Sequence, residues 1–419
     1  MIEWIPDATS SRRRRVRLKI ESLVHGGLGL ARAKGVVFVP FVVPGETVEA
    51  EIMEKKKGYA FARPVEVLEP SPRRVEPPCP VFGRCGGCHL QHMAYEAQVE
   101  AKLEILKDAF RRSAKMDVRP GVPLTGEPFG YRRRAAFKIS SGGEIGFFGH
   151  KSNTVVAMEK CLLLADALNA VLEGLRENTP RLGGIAEVEA AAGLDGVVLS
   201  FAEGSLPKDR LMDLMRALPG VIGIQGGKGF EPMGETTVRL STGGVTLRVR
   251  AGNFFQANQG LNAVLVDAAL EALQPLEGTS VLEAYAGSGN FTLPLAKKAA
   301  RVTTVEGSRR AVEDARANVK ITGLSNCLIL AGTLETARLS GRFDATVLDP
   351  PRTGLPPKAL ESLLSLVPRR ILYVSCDPAT LARDVRIFSS KYALESIRLA
   401  DMFPQTYHVE SLVLLRLRV

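Results

Sequence analysis

From about residue 259 onward, short apolar runs recur: VLEAYAG (281–287), RVTTVEG (301–307), CLILAG (327–332), ATVLDPP (345–351) and RRILYVSC (369–376). Helical stretches lie between most of them, and a further helix, LNAVLVDAALEAL, precedes the first. Apolar strands alternating with helices require a sheet covered on both faces, which means a parallel, doubly wound α/β domain. Such sheets bind ligands outside the carboxyl ends of their strands, so polar residues at those ends are the functional candidates.

The chain before this point has a different texture, and 419 residues exceed what one ordinary core serves. Residues 16–69 read as short strands: VRLKIESL, TVEAEI and RPVEVLE alternate, VVFVPFVV is a buried run, and HGGLGLAR and PGET supply turns. About five short strands in this length predict a small oligonucleotide-binding-type barrel. The Pro-rich EPSPRRVEPPCP ends it. YEAQVEAKLEILKDAFRRSA (95–114) predicts a helix with an apolar stripe through Val99, Leu103, Leu106 and Phe110. Residues 128–250 mix strand-like pieces with helices near 163–176 and 207–217. The expected fold is therefore multidomain: an OB-like β-barrel over 1–70, a central α+β domain over 71–258, and a Rossmann-like α/β domain over 259–419.

Charge narrows the partner. The net charge is +10, and basic residues concentrate at RRRRVRLK (12–19), KKK (55–57) and YRRRAAFK (131–138). Any one run is ordinarily a solvated face. Three of them, the last flanked by Tyr131 and Phe137, suit a polyanion that also offers bases to stack on, which is nucleic acid. The Arg12–Arg15 run is followed by no apolar stretch, and GVVFVPFVVPG is interrupted by Pro40 and too short for a bilayer. A soluble, cytoplasmic protein without a membrane partner is expected.

Four places carry candidate chemistry. Gly287-Ser288-Gly289 forms a turn between a strand and a helix, and Glu306 ends the next strand. Glycine lets backbone approach a ligand, and a carboxylate there accepts hydrogen bonds from both ribose hydroxyls. The pattern suits a nicotinamide dinucleotide or S-adenosylmethionine; the third glycine of the dinucleotide fingerprint is replaced by Thr292. Asp349 ends a strand before two prolines; Arg352 stands where adenine-N6 methylases place an aromatic, and the loop lacks the cysteine of RNA cytosine-C5 methylases. Cys376 falls between a strand and a helix, with Asp377 as N-cap and Pro378 opening the helix, a setting expected to lower a thiol's pKa and make a nucleophile. Glu410 enters an apolar strand, which is costly for a carboxylate unless it works or is paired.

Three of the six cysteines fall within CPVFGRCGGCHLQH (79–92). Disulfides are rare in the cytoplasm. Cys79, Cys85 and Cys88 with one distant cysteine give four thiolates, and the spacing leaves zinc and an iron–sulfur cluster both open.

In order along the chain, CPVFGRCGGCHLQH, YRRR, FFQAN, AYAGSGNFTLPLA, VEG, LDPPR, YVSCDPATLARD and FPQTYHVES resemble the motifs of the RNA 5-methyluridine methyltransferases. The similarity is to the rRNA-type enzymes with an N-terminal TRAM barrel and an iron–sulfur cluster, and it runs from about Arg12 to the end. It implies S-adenosylmethionine-dependent methylation of uridine C5 in RNA, with 23S rRNA preferred because tRNA-type enzymes generally lack both barrel and cluster. A tRNA uridine-C5 methyltransferase and a non-catalytic iron–sulfur RNA-binding protein are the alternatives. By the same resemblance Cys79, Cys85, Cys88 and Cys161 hold a [4Fe–4S] cluster. Gln256, Tyr285, Asn290, Glu306, Thr333 and Asp349 line the methyl-donor site, Cys376 is the nucleophile through a C6 adduct, and Glu410 is the base. The family's Asp-Leu pair is Glu283-Ala284 here, and Thr333 stands where Asn is common. A monomer is expected.

Overall fold

The computed structural model describes residues 14–201, 206–226 and 231–418. Within them the chain divides into two compact units. The first comprises the chain up to Ile105 with Gly146–Met158 and Phe403–His408; the second comprises Leu106–Ile145, Glu159–Met402 and the residues from Val409.

The first unit carries a closed barrel of β1 (Arg15–Val24), β2 (Leu28–Arg32), β3 (Val36–Pro40), β4 (Thr47–Lys56) and β5 (Tyr59–Glu69), in the order β1-β2-β3-β5-β4. Alternation turns Leu18, Ile20, Ala31, Val37, Val39, Val48, Ala50, Ala60 and Ala62 inward. The interior is narrow enough to demand glycine at one point: a Cβ on Gly29 would lie 2.3 Å from Val42 Cγ2. Outside, part of the basic run is already paired, Arg15 with Glu49 and Arg17 with Glu69, each at 3.2 Å. Arg12 and Arg13 lie outside the described residues. Phe38, Tyr59 and Phe61 form an aromatic cluster with centroids 5.7–6.0 Å apart, and Lys56 and Lys151 approach the Phe61 ring.

Helix α1 (Tyr95–Ala109) follows, and a π turn over Phe110–Ala114 ends it. Val99, Leu106 and Phe110 are buried as expected, whereas Leu103 is only half-buried. Lys102 is buried instead, because its Nζ reaches the carbonyl of Phe403 at 3.1 Å. The remaining strands of this part are β6 (Arg134–Ile139), β7 (Ile145–Phe148) and β8 (Val155–Ala157).

Next come α2 (Asp166–Glu177), β9 (Glu187–Ala192), β10 (Val197–Phe201), α3 (Lys208–Ala217), β11 (Val221–Gly226), β12 (Met233–Gly234) and the hairpin β13 (Thr237–Thr242)–β14 (Val245–Arg250). In the second unit β12, β11, β10, β9 and β6 are neighbours in that order. Tyr131 and Phe137 are buried at the start of this sheet and within it, Phe137 completely. The expectation that their rings flank a base-stacking surface is therefore overturned: strand alternation points them into the core while Arg134 pairs outward with Glu189.

The chain ends in the doubly wound domain. Its elements are α4 (Gln259–Ala272), β15 (Ser280–Ala284), α5 (Thr292–Ala296), β16 (Arg301–Glu306), α6 (Arg309–Thr322), β17 (Cys327–Ala331), β18 (Ala345–Leu348), α7 (Pro357–Leu366), β19 (Arg370–Ser375), α8 (Pro378–Phe388), β20 (Tyr392–Ala400) and β21 (Glu410–Leu417). The sheet order is β17-β16-β15-β18-β19-β21-β20. Strands β15 to β19 are mutually parallel and β21 runs antiparallel to β19. The order reverses between β15 and β18, the place where such sheets open a binding crevice.

Candidate active site

Five parallel strands bring their carboxyl ends to one edge. Across it stand Thr333 just beyond β17, Glu306 closing β16, Tyr285 after β15, Asp349 after β18 and Cys376 after β19. β21 runs the other way, so its first residue, Glu410, lies at that same edge. The Ser375–Ser411 pairing sets Glu410 alongside Cys376. Sheet order thus assembles residues scattered over more than a hundred positions.

The left half of the edge is built for a nucleoside. Tyr285, Gly287 and Gly289 all have positive φ (63°, 57° and 104°), so the chain turns sharply out of β15. Nothing lies within 4 Å of where a Gly287 side chain would be, which leaves the turn open to a ligand. Glu306 accepts from the Gly287 amide at 2.8 Å and the Ser308 amide at 2.6 Å, one on each oxygen. Each oxygen keeps a second acceptor position for a ribose hydroxyl. Gly332 donates to the Glu306 carbonyl at 2.9 Å, which sets Thr333 beside it, where it bonds Thr336. These residues fit S-adenosylmethionine.

Other expected residues are placed differently. Asn290 forms a reciprocal amide pair with Asn262 (2.8 and 3.0 Å), which ties the glycine turn to α4. One N–H and one lone pair of its carboxamide are left for a ligand. Gln256 precedes α4, and its carbonyl accepts from Gln259. Asp314 and Asp384 were not singled out from sequence, and Glu283 was noted only as a departure from the family's Asp-Leu pair. Glu283 is buried behind the turn and accepts from Thr292 Oγ1 at 2.6 Å, and burial pushes its carboxyl up to about 8. Asp314, buried, accepts from Arg250, Asn253 and Ser288 and so braces the same turn. Asp384 is treated below. Their only sequence signal is a carboxylate on an otherwise apolar face.

The right half holds the reactive groups. Burial, then the charges of Glu410 and Asp349, push the Cys376 thiol up to about 12, while Arg352 pulls it down. The expectation of a lowered thiol pKa is not met. Burial is the largest cause; the helix end is in addition already satisfied by Asp377, which caps α8 by accepting from the Ala379 and Thr380 amides at 3.0 and 2.9 Å. Glu410 is 4% exposed. Burial and Asp349 raise its carboxyl far above the usual range, again opposed by Arg352. Burial alone raises Asp349 to about 7. Without substrate, burial thus favours the thiol form of Cys376 and the neutral form of Glu410.

The cysteine-rich loop lies in the first unit, where tight turns (Phe82 N–H to Cys79 O, Cys85 N–H to Val81 O) stack Cys79, Cys85 and Cys88 into a short span. The thiolate position of Cys85 accepts from the Gly87 amide at 3.4 Å. All six cysteines are half-buried. Among the described residues no group of three or more His, Cys, Asp or Glu is arranged to hold a metal ion, so the fit to a metal is carried by ligand type and spacing rather than by the arrangement of the side chains. No described helix is long and apolar enough to cross a membrane.

A strand edge with an open glycine turn, a carboxylate closing the next strand and a neighbouring thiol–carboxyl pair is the arrangement expected of an S-adenosylmethionine-dependent methyltransferase. Comparison with known proteins gives the particular family. The tRNA (Uracil-5-)-methyltransferase family matches residues 235–418, and the TRAM domain of tRNA (uracil(54)-C(5))-methyltransferase matches residues 16–73. The chain is 36% identical to the 23S rRNA (uracil(1939)-C(5))-methyltransferase RlmD of Shewanella amazonensis, over 98% of both chains. It is 37% identical to that of Thiobacillus denitrificans, over 94% of this chain and 98% of the other. The crystal structure of Pyrococcus abyssi tRNA (uracil-54, C5)-methyltransferase in complex with S-adenosyl-L-homocysteine superposes with a TM-score of 0.77 at 28% identity, covering 96% of this chain and all of that one. The chain belongs to the RNA (uracil-C5)-methyltransferase family and is an S-adenosylmethionine-dependent enzyme with an N-terminal TRAM barrel. A TRAM barrel in a tRNA enzyme also shows that the barrel by itself does not separate rRNA from tRNA substrates.

Proposed function

We propose that this enzyme methylates C5 of a uridine in 23S rRNA through a covalent adduct on Cys376. The observation that carries the chemistry is the meeting of Cys376 and Glu410 at one sheet edge, beside the donor turn. Uracil C5 is a weak nucleophile. Addition of the Cys376 sulfur to C6, with loss of the thiol proton, makes C5 an enolate carbon. Bound at the glycine turn, S-adenosylmethionine supplies the methyl group that C5 takes. Glu410 then removes the remaining C5 proton, the C5–C6 double bond re-forms, and the sulfur leaves. One C5–H is exchanged for C5–CH3 and one proton is released. Asp349, between donor strand and nucleophile strand, orients the uracil edge. Arg352 supplies the positive charge that both Cys376 and Glu410 need in order to ionise. A pocket this buried requires the uridine to leave its stack.

Full-length similarity to RlmD proteins favours 23S rRNA; the tRNA-enzyme likeness in fold keeps tRNA as the second reading. Residues 1–70 serve as the RNA-binding barrel, 71–258 as the central RNA-binding part and 259–419 as the catalytic domain, working as a monomer in the cytoplasm. Purified enzyme with labelled donor is expected to modify unmethylated 23S rRNA and to leave tRNA transcripts unlabelled. Label in tRNA alone overturns the substrate and keeps the chemistry; 5-methyluridine in neither overturns both.

We also assign a [4Fe–4S] cluster to Cys79, Cys85, Cys88 and Cys161. Four half-buried cysteines in this spacing, an amide donated to Cys85 and the family resemblance support it. Its role is to staple the central part of the chain, and no catalytic step passes through it. Anaerobically purified protein is expected to be brown with matched iron and sulfide. Changing any one of the four to Ser is expected to bleach it and lower its melting temperature, since binding and folding are coupled. Stoichiometric zinc without iron rules the cluster out.

A further inference from the structure

Two loops meet at the right half of the edge: the one leaving β18, which carries Asp349 and Arg352, and the one leaving β19, which carries Cys376 and runs into α8. What fixes the first against the second is a set of contacts from α8. Asp384, fully buried, accepts from the Leu355 amide at 2.9 Å and the Tyr373 hydroxyl at 2.8 Å on one oxygen, and from Arg383 Nε at 2.8 Å on the other. Arg383 in turn donates to the carbonyls of Thr353 (3.0 Å) and Leu355 (3.4 Å). Thr380 Oγ1 donates to the carbonyl of Arg352 itself at 3.1 Å. Gly354 makes the approach possible: its φ is 71°, and a Cβ there would lie 2.6 Å from both Arg383 Nη2 and Asp384 Oδ2. Arg352, Thr353 and Leu355 are therefore bonded to α8, and Gly354 lies close against it.

A buried carboxylate is retained only when it is fully partnered, and this one ties the loop that carries Arg352, through Leu355, to β19 and to Arg383 of α8. We propose that Asp384 is a positioning residue that clamps the Arg352 loop onto the nucleophile's helix, so that Arg352 is held where its charge favours the Cys376 thiolate. This rests on Cys376 being the nucleophile. The charged groups acting on Cys376 are Glu410 from β21 and Asp349 and Arg352 from the loop after β18; Asp377, next in sequence, caps α8. Arg352 is the one cation among them, and it opposes burial and both carboxylates. Loosening its loop moves positive charge away and raises the thiol pKa.

The test is the pH dependence of alkylation of the Cys376 peptide by iodoacetamide, followed by mass spectrometry so that the other five cysteines do not contribute. Below the thiol pKa the rate follows the thiolate fraction. For Asp384→Asn the profile is expected to move to higher pH, with the rate at pH 8 lowered roughly three- to tenfold, half to one pKa unit. Arg352→Met is expected to move it the same way, Arg352→Lys to restore most of the rate, and the Asp384→Asn/Arg352→Met double variant to move it no further than Arg352→Met alone. Should Asp384→Asn fail to fold, Thr380→Val removes one loop contact and is expected to give a smaller shift in the same direction. A folded Asp384→Asn protein with an unmoved profile overturns the proposal. So does a rate reduced equally at all pH values, which means altered access, or an additive double variant. If Cys376 is not the nucleophile, the Cys376→Ala enzyme stays active whatever the alkylation shows, and the two failures are told apart.

Discussion

Cys376→Ala is expected to abolish methyl transfer, a loss on the order of 10⁴-fold or more, the scale set by removing a covalent nucleophile. The side chain is small and half-buried at the end of β19, so the fold should be unchanged. Donor binding should also be unchanged, because the glycine turn and Glu306 stand on other strands. The protein should form no RNA complex that survives denaturing gels. Retained turnover would show that C5 is activated without sulfur addition. The wild-type enzyme should speed up as pH rises through neutrality, since burial raises the pKa of Cys376 to about 12 and that of Glu410 in the same direction, and both must lose their protons to act.

Glu410→Gln is expected to separate methyl transfer from release. In the free enzyme burial and Asp349 favour the neutral acid form of Glu410. Glutamine has the same shape and the same charge as that acid, so the variant should fold and bind as the parent does. It cannot take the C5 proton. Methyl transfer can proceed once, the sulfur stays attached to C6, and turnover falls roughly 10²- to 10⁴-fold, the usual worth of a positioned general base. With labelled donor, the label should collect in a protein–RNA adduct on a denaturing gel. Near-normal turnover by the folded variant, with no adduct, removes Glu410 from the mechanism. Loss of stability and adduct together makes Glu410 a brace for β21 instead.

The sequence by itself determined the parts whose signals are local. Alternation of apolar runs with helices specified a doubly wound sheet, because each strand must be buried on both faces. Gly287 and Gly289 marked a turn that only a residue tolerating positive φ can make, and Asp349 and Cys376 were legible as strand-end residues. Inward alternation across residues 16–69 was enough for a small barrel. Tertiary structure alone decided everything that depends on which strands become neighbours. Glu410 faces Cys376 only because β21 inserts antiparallel between β19 and β20, and no periodicity in the chain encodes that pairing. Protonation was equally hidden: the helix-start position suggested a low thiol pKa, but burial and two carboxylates outweigh a helix end that Asp377 already caps. The same dependence on surroundings turned Tyr131 and Phe137 into core residues and made Asp384 a clamp rather than a solvated helix charge. Desolvation and cross-strand contact belong to a position in space, and space is assigned only when the sheet has chosen its order.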